Sequence, residues 1–187
     1  MKRIISFLVG IVLMCSSIRV QADDVKLYAK AAVLMDAESG KVLYGKSEKK
    51  KMANASTTKI LTCLYIIEHC NLEEEAEVSQ NAASQPQVRL GVRKGEKYKV
   101  KDLLYGLMLE SYNDCAVVLA EHAEGSTEKF AEKINQEAKK AGAKNTHFVT
   151  PNGLDASDDG GSHGTTAYDL AVIMKKCIRN EKFLEIT

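Results

Sequence analysis

The stretch from Ser56 to His69 carries Ile60, Leu61, Leu64, Ile66 and Ile67, and these positions spread over more than one face of a helix. A helix without a continuous polar side has to run through the middle of a domain, with other elements packed around it. At 187 residues the chain can bury such a core in one ordinary domain and is short for a two-domain enzyme. A formal net charge of +1 and an ordinary share of charged residues leave no electrostatic footprint for nucleic acid, which is excluded as a partner.

The first residues are different in kind. Lys2 and Arg3 precede an apolar run from Ile4 to Met14, which leads through a polar stretch to Val20-Gln21-Ala22. A basic start, an apolar run too short to span a bilayer comfortably and a small residue at the cut describe a signal peptide. Residues 1–22 are therefore read as the signal peptide and 23–187 as the folded part of an exported protein. Cutting after Ala22 removes Lys2, Arg3 and Arg19 and no acid, taking the formal charge from +1 to about −2. A buried N-terminal helix is the competing reading, but no polar face or cap follows the run. Cys15 leaves with the signal, and Met14 is large for the residue preceding a lipid-modified cysteine.

Cys63, Cys70, Cys115 and Cys177 remain, in a compartment that permits disulfides. Cys63 and Cys70 lie seven positions apart on one helix, hence about 10 Å along its axis and beyond bridging distance. None of the four has paired metal-ligand spacing, so they are read as small buried residues and not as metal ligands.

Ala31 to Asp36 and Val42 to Gly45, joined by Glu38-Ser39-Gly40, predict a hairpin. Ser47 to Lys51 reads as a solvated basic loop and Glu73 to Glu77 as an acidic surface patch. Gln80 to Lys99 reads as polar connection with one short hairpin near Lys94-Gly95. Asp102 opens a helix through Leu109; after the loop Ser111-Tyr112-Asn113, Asp114 caps another through Ala123. Ser126 or Thr127 caps an amphipathic helix bearing Phe130 and Ile134 that stops at Gly142. Pro151-Asn152-Gly153 is a turn, and Thr165 or Thr166 starts the last helix, with Leu170, Ile173 and Met174 facing inward.

Acyl transfer by a hydroxyl needs a base beside the nucleophile, a proton route to the leaving group and donors for the oxyanion. Ser56 and Lys59, at i and i+3 on the buried helix, share a face, so the amine can reach the hydroxyl. Ser56 at the helix start also aims free backbone N–H groups at a reacting carbonyl. A lysine in the first turn meets the positive end of the macrodipole, which together with burial lowers its pKa and makes a neutral base accessible. The alternative, a capping serine with a lysine reaching to water, stays open on spacing alone, because Ser-x-x-Lys recurs at Ser47 to Lys50 and at Ser126 to Lys129. Only Ser56 leads into an apolar helix. Ser111-Tyr112-Asn113, between two apolar helices, can present a hydroxyl as proton shuttle and an amide as clamp. It reads equally as a turn with a capped helix, and Ser-x-Asn recurs at Ser79 to Asn81.

Taken in order, these segments resemble the low-molecular-mass D-alanyl-D-alanine carboxypeptidases, penicillin-binding serine DD-peptidases of the peptidase S11 type. Ala31 to Asp36 with Gly40 to Tyr44 resembles their opening hairpin. Asn54-Ala55-Ser56-Thr57-Thr58-Lys59 resembles the nucleophile motif, with Asn54 where the family often has proline. Asp102 to Tyr105 leading into Ser111-Tyr112-Asn113-Asp114 resembles the second motif, whose middle residue is more usually small, so that Tyr112 is expected to narrow the mouth of the site. Thr146-His147-Phe148, Asn152-Gly153-Leu154-Asp155 and His163 to Ala171 resemble the carboxypeptidases in particular. These segments separate them from class A β-lactamases, the most distant alternative.

The resemblance implies an α+β domain with the serine β-lactamase/DD-peptidase fold and a two-stage reaction on peptidoglycan pentapeptides, at the extracytoplasmic face of the membrane or in the cell wall and with no metal or organic cofactor. Ser56 is the expected nucleophile, Lys59 its base, Ser111 a proton relay and Asn113 a substrate-binding residue, with β-lactams as covalent inhibitors; His163 is read as structural. It also implies a third motif, Lys-Thr/Ser-Gly on a strand lining the cleft, which is not met before Thr187. The expectation is a catalytic domain incomplete at its C-terminus, lacking the last strands of its central sheet and the C-terminal tail through which membrane association would occur. A truncated, inactive chain that at most binds wall peptide is the alternative.

Overall fold

The computed structural model describes residues 26–187. The proposed signal peptide at 1–22 lies outside them. Strands β1 (Ala32–Met35) and β2 (Val42–Lys46) form the predicted hairpin. They pair antiparallel with Ala32 opposite Lys46 and Leu34 opposite Tyr44, and a bulge sits between Leu34 and Met35. Asp36 organises the turn, accepting the Ser39 N–H at 2.7 Å on its carboxylate and the Gly40 N–H at 2.8 Å on its carbonyl. Leu34 and Leu43 are each 58% exposed, so the hairpin carries apolar side chains that the rest of the described chain does not cover.

A 3-10 turn at Ala55–Thr58 leads into α1 (Lys59–His69), the helix foreseen at 56–69. The remaining elements are β3 (Glu75–Glu77), α2 (Gln80–Ala83), β4 (Lys97–Lys99), α3 (Val100–Leu109), α4 (Asn113–Glu124), α5 (Thr127–Ala141), β5 (Ser157–Asp158), β6 (Gly161–Ser162), α6 (Ala167–Cys177) and α7 (Glu181–Ile186). As its apolar pattern requires, α1 is central: it packs against α3, α4, α5, α6 and α7, burying Leu61, Cys63, Leu64 and Ile66. Each such aliphatic side chain withdrawn from water contributes about 1.5–3 kcal/mol. Phe130, Ile134 and Ala138 recur at helical spacing on the buried face of α5, whose start is capped by Ser126 accepting the Lys129 N–H at 3.2 Å.

Several expectations are corrected. The acidic run at 73–77 is partly a strand: Ala76 is buried, and Glu75 and Glu77 stand opposite Lys99 and Lys97. The partner of the strand near Lys94-Gly95 is therefore this distant segment, and the hairpin expected there does not form. Val100 opens α3, with Asp102 inside its first turn. Thr166 caps α6, but α7 follows it, and Met174 is exposed where an inward position was expected. Cys63, Cys115 and Cys177 are buried free thiols whose pKa burial pushes up to about 12; Cys70 is half-buried and free.

Candidate active site

Ser56 lies in the 3-10 turn, one turn ahead of Lys59, and the i to i+3 geometry brings the Lys59 Nζ within 3.2 Å of the Ser56 Oγ. The lysine is 2% exposed and points inward between α1 and the loop preceding α4. There the Nζ meets the Ser111 carbonyl at 2.7 Å, the Ser111 Oγ at 3.1 Å and the Asn113 Oδ1 at 2.8 Å. Ser56, Ser111 and Asn113, the residues that the family resemblance set beside Lys59, thus converge on its one nitrogen. Burial holds the Lys59 pKa down at about 8, against the pull of Cys115 and Asp114 nearby, so about a tenth of the amine is neutral at pH 7.

Four acceptors surround an ammonium with three hydrogens. In the neutral amine two hydrogens suffice for the two shortest contacts, to the Ser111 carbonyl and the Asn113 Oδ1, which leaves the lone pair for a hydroxyl. The Asn113 amide also donates one hydrogen to the Pro86 carbonyl at 3.2 Å and keeps another free. The Ser56 backbone N–H has no protein acceptor among the described residues, so it remains available to an anionic oxygen.

The turn that presents Ser56 is strained, with Ala55 at φ 46° in the left-handed region. Its carbonyl presses against Gly153, where an added Cβ would lie 1.9 Å from the Ala55 oxygen. Gly153 sits at φ 88°, in the turn foreseen at Pro151-Asn152-Gly153, and α1 grips that turn through Thr62, whose hydroxyl donates to the Pro151 carbonyl at 2.8 Å. The other wall of the site is a second left-handed residue, Ser111 at φ 60°.

One expectation about that second wall is revised. Asp114 does not cap α4; its buried carboxylate gathers the N–H groups of Leu90, Gly91 and Val92 at 3.0, 2.8 and 3.3 Å, and that of Cys115 at 2.9 Å. It thereby anchors the loop whose Pro86 and Val88 carbonyls hold Asn113. The Tyr112 ring lies over Gly106, 3.1 Å from where a Cβ would stand, and packs half-buried against the core. The other Ser-x-x-Lys segments are a turn at Ser47–Lys50 and the α5 cap at Ser126; Ser79 caps α2.

Three cavities lie away from this cluster: one of about 520 Å³ between the β1–β2 turn, α5 and α6, one of about 450 Å³ lined by Ala53, Asp155 and His163, and one of about 260 Å³ lined by Asn54 and Thr57 beside Ser56. Hydrogen-bond geometry, not cavity size, locates the chemistry. Among the described residues no group of three or more His, Cys, Asp or Glu side chains could hold a metal ion.

A family model described as D-alanyl-D-alanine carboxypeptidase, Peptidase S11, matches residues 17–187. The chain is 38% identical over 164 residues to the D-alanyl-D-alanine carboxypeptidase DacF of Bacillus subtilis, covering 85% of this chain and 41% of that protein. With DacB2 of Mycobacterium tuberculosis it shares 37% identity over 160 residues, 85% of this chain and 54% of the relative. It thus spans roughly half, or less, of the relatives it matches. Among solved structures, the DacD carboxypeptidase of Francisella tularensis superposes with a TM-score of 0.81 at 32% identity, over 95% of this chain and 43% of that one. Penicillin-binding protein D2 of Listeria monocytogenes, in its ampicillin-bound form, matches with a TM-score of 0.77 at 28% identity, over 89% and 68% respectively. The α+β arrangement described above is therefore that of the DD-peptidase fold.

Proposed function

Because the chain belongs to the D-alanyl-D-alanine carboxypeptidase family, Peptidase S11, we propose that it performs serine-type removal of the terminal D-alanine from peptidoglycan stem peptides. The observation that carries this reading is the single buried amine in contact with Ser56, Ser111 and Asn113. The neutral Lys59 takes the Ser56 proton as the Oγ attacks the carbonyl between the terminal D-alanines. The developing oxyanion meets the free N–H of Ser56. The C–N bond breaks, and the departing D-alanine amine receives the proton through the Ser111 hydroxyl. Water then cleaves the serine ester, with Lys59 and Ser111 returning protons, while Asn113 holds the peptide with its remaining amide hydrogen. A β-lactam carbonyl enters the same position and leaves a long-lived acyl-enzyme, a reading supported by the likeness to the ampicillin-bound Listeria protein. An exported chain, with residues 1–22 removed, would meet this substrate at the wall.

Fluorescent penicillin tests the proposal. Covalent labelling is expected in the wild-type chain and absent in Ser56→Ala; no labelling of wild type, or equal labelling of the variant, overturns it. Since only the neutral amine acts as base, the acylation rate should rise about tenfold per pH unit below about 8 and level off above, where Lys59 is already deprotonated.

A further inference from the structure

His163 lies 105 positions from Thr58 and is only 5% exposed. Its Nδ1 faces two backbone donors, the N–H groups of Val149 at 2.9 Å and Thr150 at 3.3 Å. A nitrogen between two donors has to be the lone-pair nitrogen, so the ring's hydrogen resides on Nε2. The Nε2 lies 2.9 Å from the Thr58 Oγ1, and the Thr58 hydroxyl donates onward to the Ala55 carbonyl at 3.0 Å. Asn54 supplies the remaining hydrogen bond to that oxygen at 2.8 Å. With the imidazole N–H and the Asn54 Nδ2 both directed at the Thr58 oxygen, the hydroxyl hydrogen has the Ala55 carbonyl as its acceptor, and the Asn54 Oδ1 stays buried without a partner. The direction of the chain is therefore set: backbone to imidazole, imidazole to Thr58, Thr58 to Ala55.

Ala55 is the strained residue immediately before the nucleophile, and a strained turn persists only where its surroundings over-determine it. Gly153 limits the carbonyl by contact and Thr58 holds it by a hydrogen bond. We propose that His163 is a positioning residue of the reaction described above: acting through Thr58, it fixes the Ala55 carbonyl and so aims the Ser56 hydroxyl at Lys59. The inference rests on that functional reading. The relay needs the neutral ring, since an imidazolium would turn an N–H towards Val149 and Thr150. Burial favours the neutral form, with His147 and Lys51 acting in the same sense and Asp155 against it.

The test compares His163→Ala, His163→Gln and Thr58→Val in the full chain, measuring the acylation rate by fluorescent penicillin, the affinity of the complex before acylation, and the thermal midpoint. His163→Ala and Thr58→Val should slow acylation about 10- to 100-fold with pre-acylation affinity changed less than about threefold, because the nucleophile is misplaced while the binding groups stay. His163→Gln, which keeps one donor and one acceptor, should recover most of the rate. Wild-type rates in His163→Ala or in the near-isosteric Thr58→Val overturn the proposal, as does a Gln variant no faster than Ala at equal folding. Nitrogen NMR of the imidazole in the wild-type chain reads the relay without catalysis. A locked Nε2–H tautomer is expected, and an Nδ1–H ring overturns the assignment. If wild type takes no label while the tautomer is as expected, the functional reading fails and the relay is left without a reaction to serve, which also rejects the positioning role.

Discussion

The two turns facing each other across Lys59 have the same conformational problem and different solutions. Each places a non-glycine residue in the left-handed region, Ala55 at φ 46° and Ser111 at φ 60°. The Ser111 turn is secured from nearby in the sequence: the Tyr112 N–H bonds the Gly106 carbonyl at 3.1 Å, the Asn113 N–H bonds that of Val88 at 2.8 Å, and Asp114 gathers the loop at 90–92. The Ala55 turn is secured from afar, by Gly153 and by His163 through Thr58. One wall of the site can form once some thirty residues have folded, as order-of-magnitude loop closure goes. The other is complete only when the segment from 145 to 165 has docked on α1 and α5, where Asn135 exchanges hydrogen bonds of 2.7 and 2.8 Å with the Phe148 backbone.

The largest effect should come where the two turns meet. Lys59→Met removes the shared nitrogen and is expected to slow penicillin acylation about 10³-fold, followed as labelled protein against time. A loss under tenfold would mean that neither turn depends on that amine. Next comes Gly153→Ala, which strikes the distant support alone. Its methyl cannot coexist with the Ala55 carbonyl, so acylation should fall about 10²-fold while the amide resonances of Leu90 to Val92 keep their positions. Movement of those amides would show that the walls are not independent. Smallest is Asp114→Asn, which replaces an acceptor-only carboxylate, holding two N–H groups on each oxygen, with an amide that brings donors against one of those pairs. Chemical denaturation should show a loss of about 2 kcal/mol, with acylation slowed at most about tenfold. A larger kinetic than thermodynamic effect would reverse the ranking of the two supports.

What could be read from the chain follows the same division. The hairpin, the buried α1, a cap at Ser126 or Thr127 and another at Thr165 or Thr166, and the i to i+3 pairing of Ser56 with Lys59 all rest on patterns local in the sequence, and the structure has them, with Ser126 and Thr166 as the caps. The contact of Ser111 and Asn113 with that pair needed the family likeness, since each triplet recurs elsewhere in the chain. β3 and β4 escaped because a three-residue strand with a single inward residue has no period to detect. Asp114 sat in full view beside Asn113, but its local setting offered a cap more cheaply than an anchor for residues 22 to 24 positions upstream. The Tyr112 ring went to Gly106 because the missing side chain on α3 left room for it, a fit that only tertiary packing reveals. For Thr58 and His163 no sequence interval could have suggested the pair.

The left-handed backbone at Ser111 carries a cost for any lineage of such chains. Glycine there would relieve about 1 kcal/mol of conformational strain, yet it would delete the hydroxyl beside Lys59. On the proposed mechanism, the best residue for folding and the best residue for turnover are therefore different at position 111. Selection for thermal robustness alone would be drawn to sacrifice the working side chain, and keeping it is a choice of chemistry over durability.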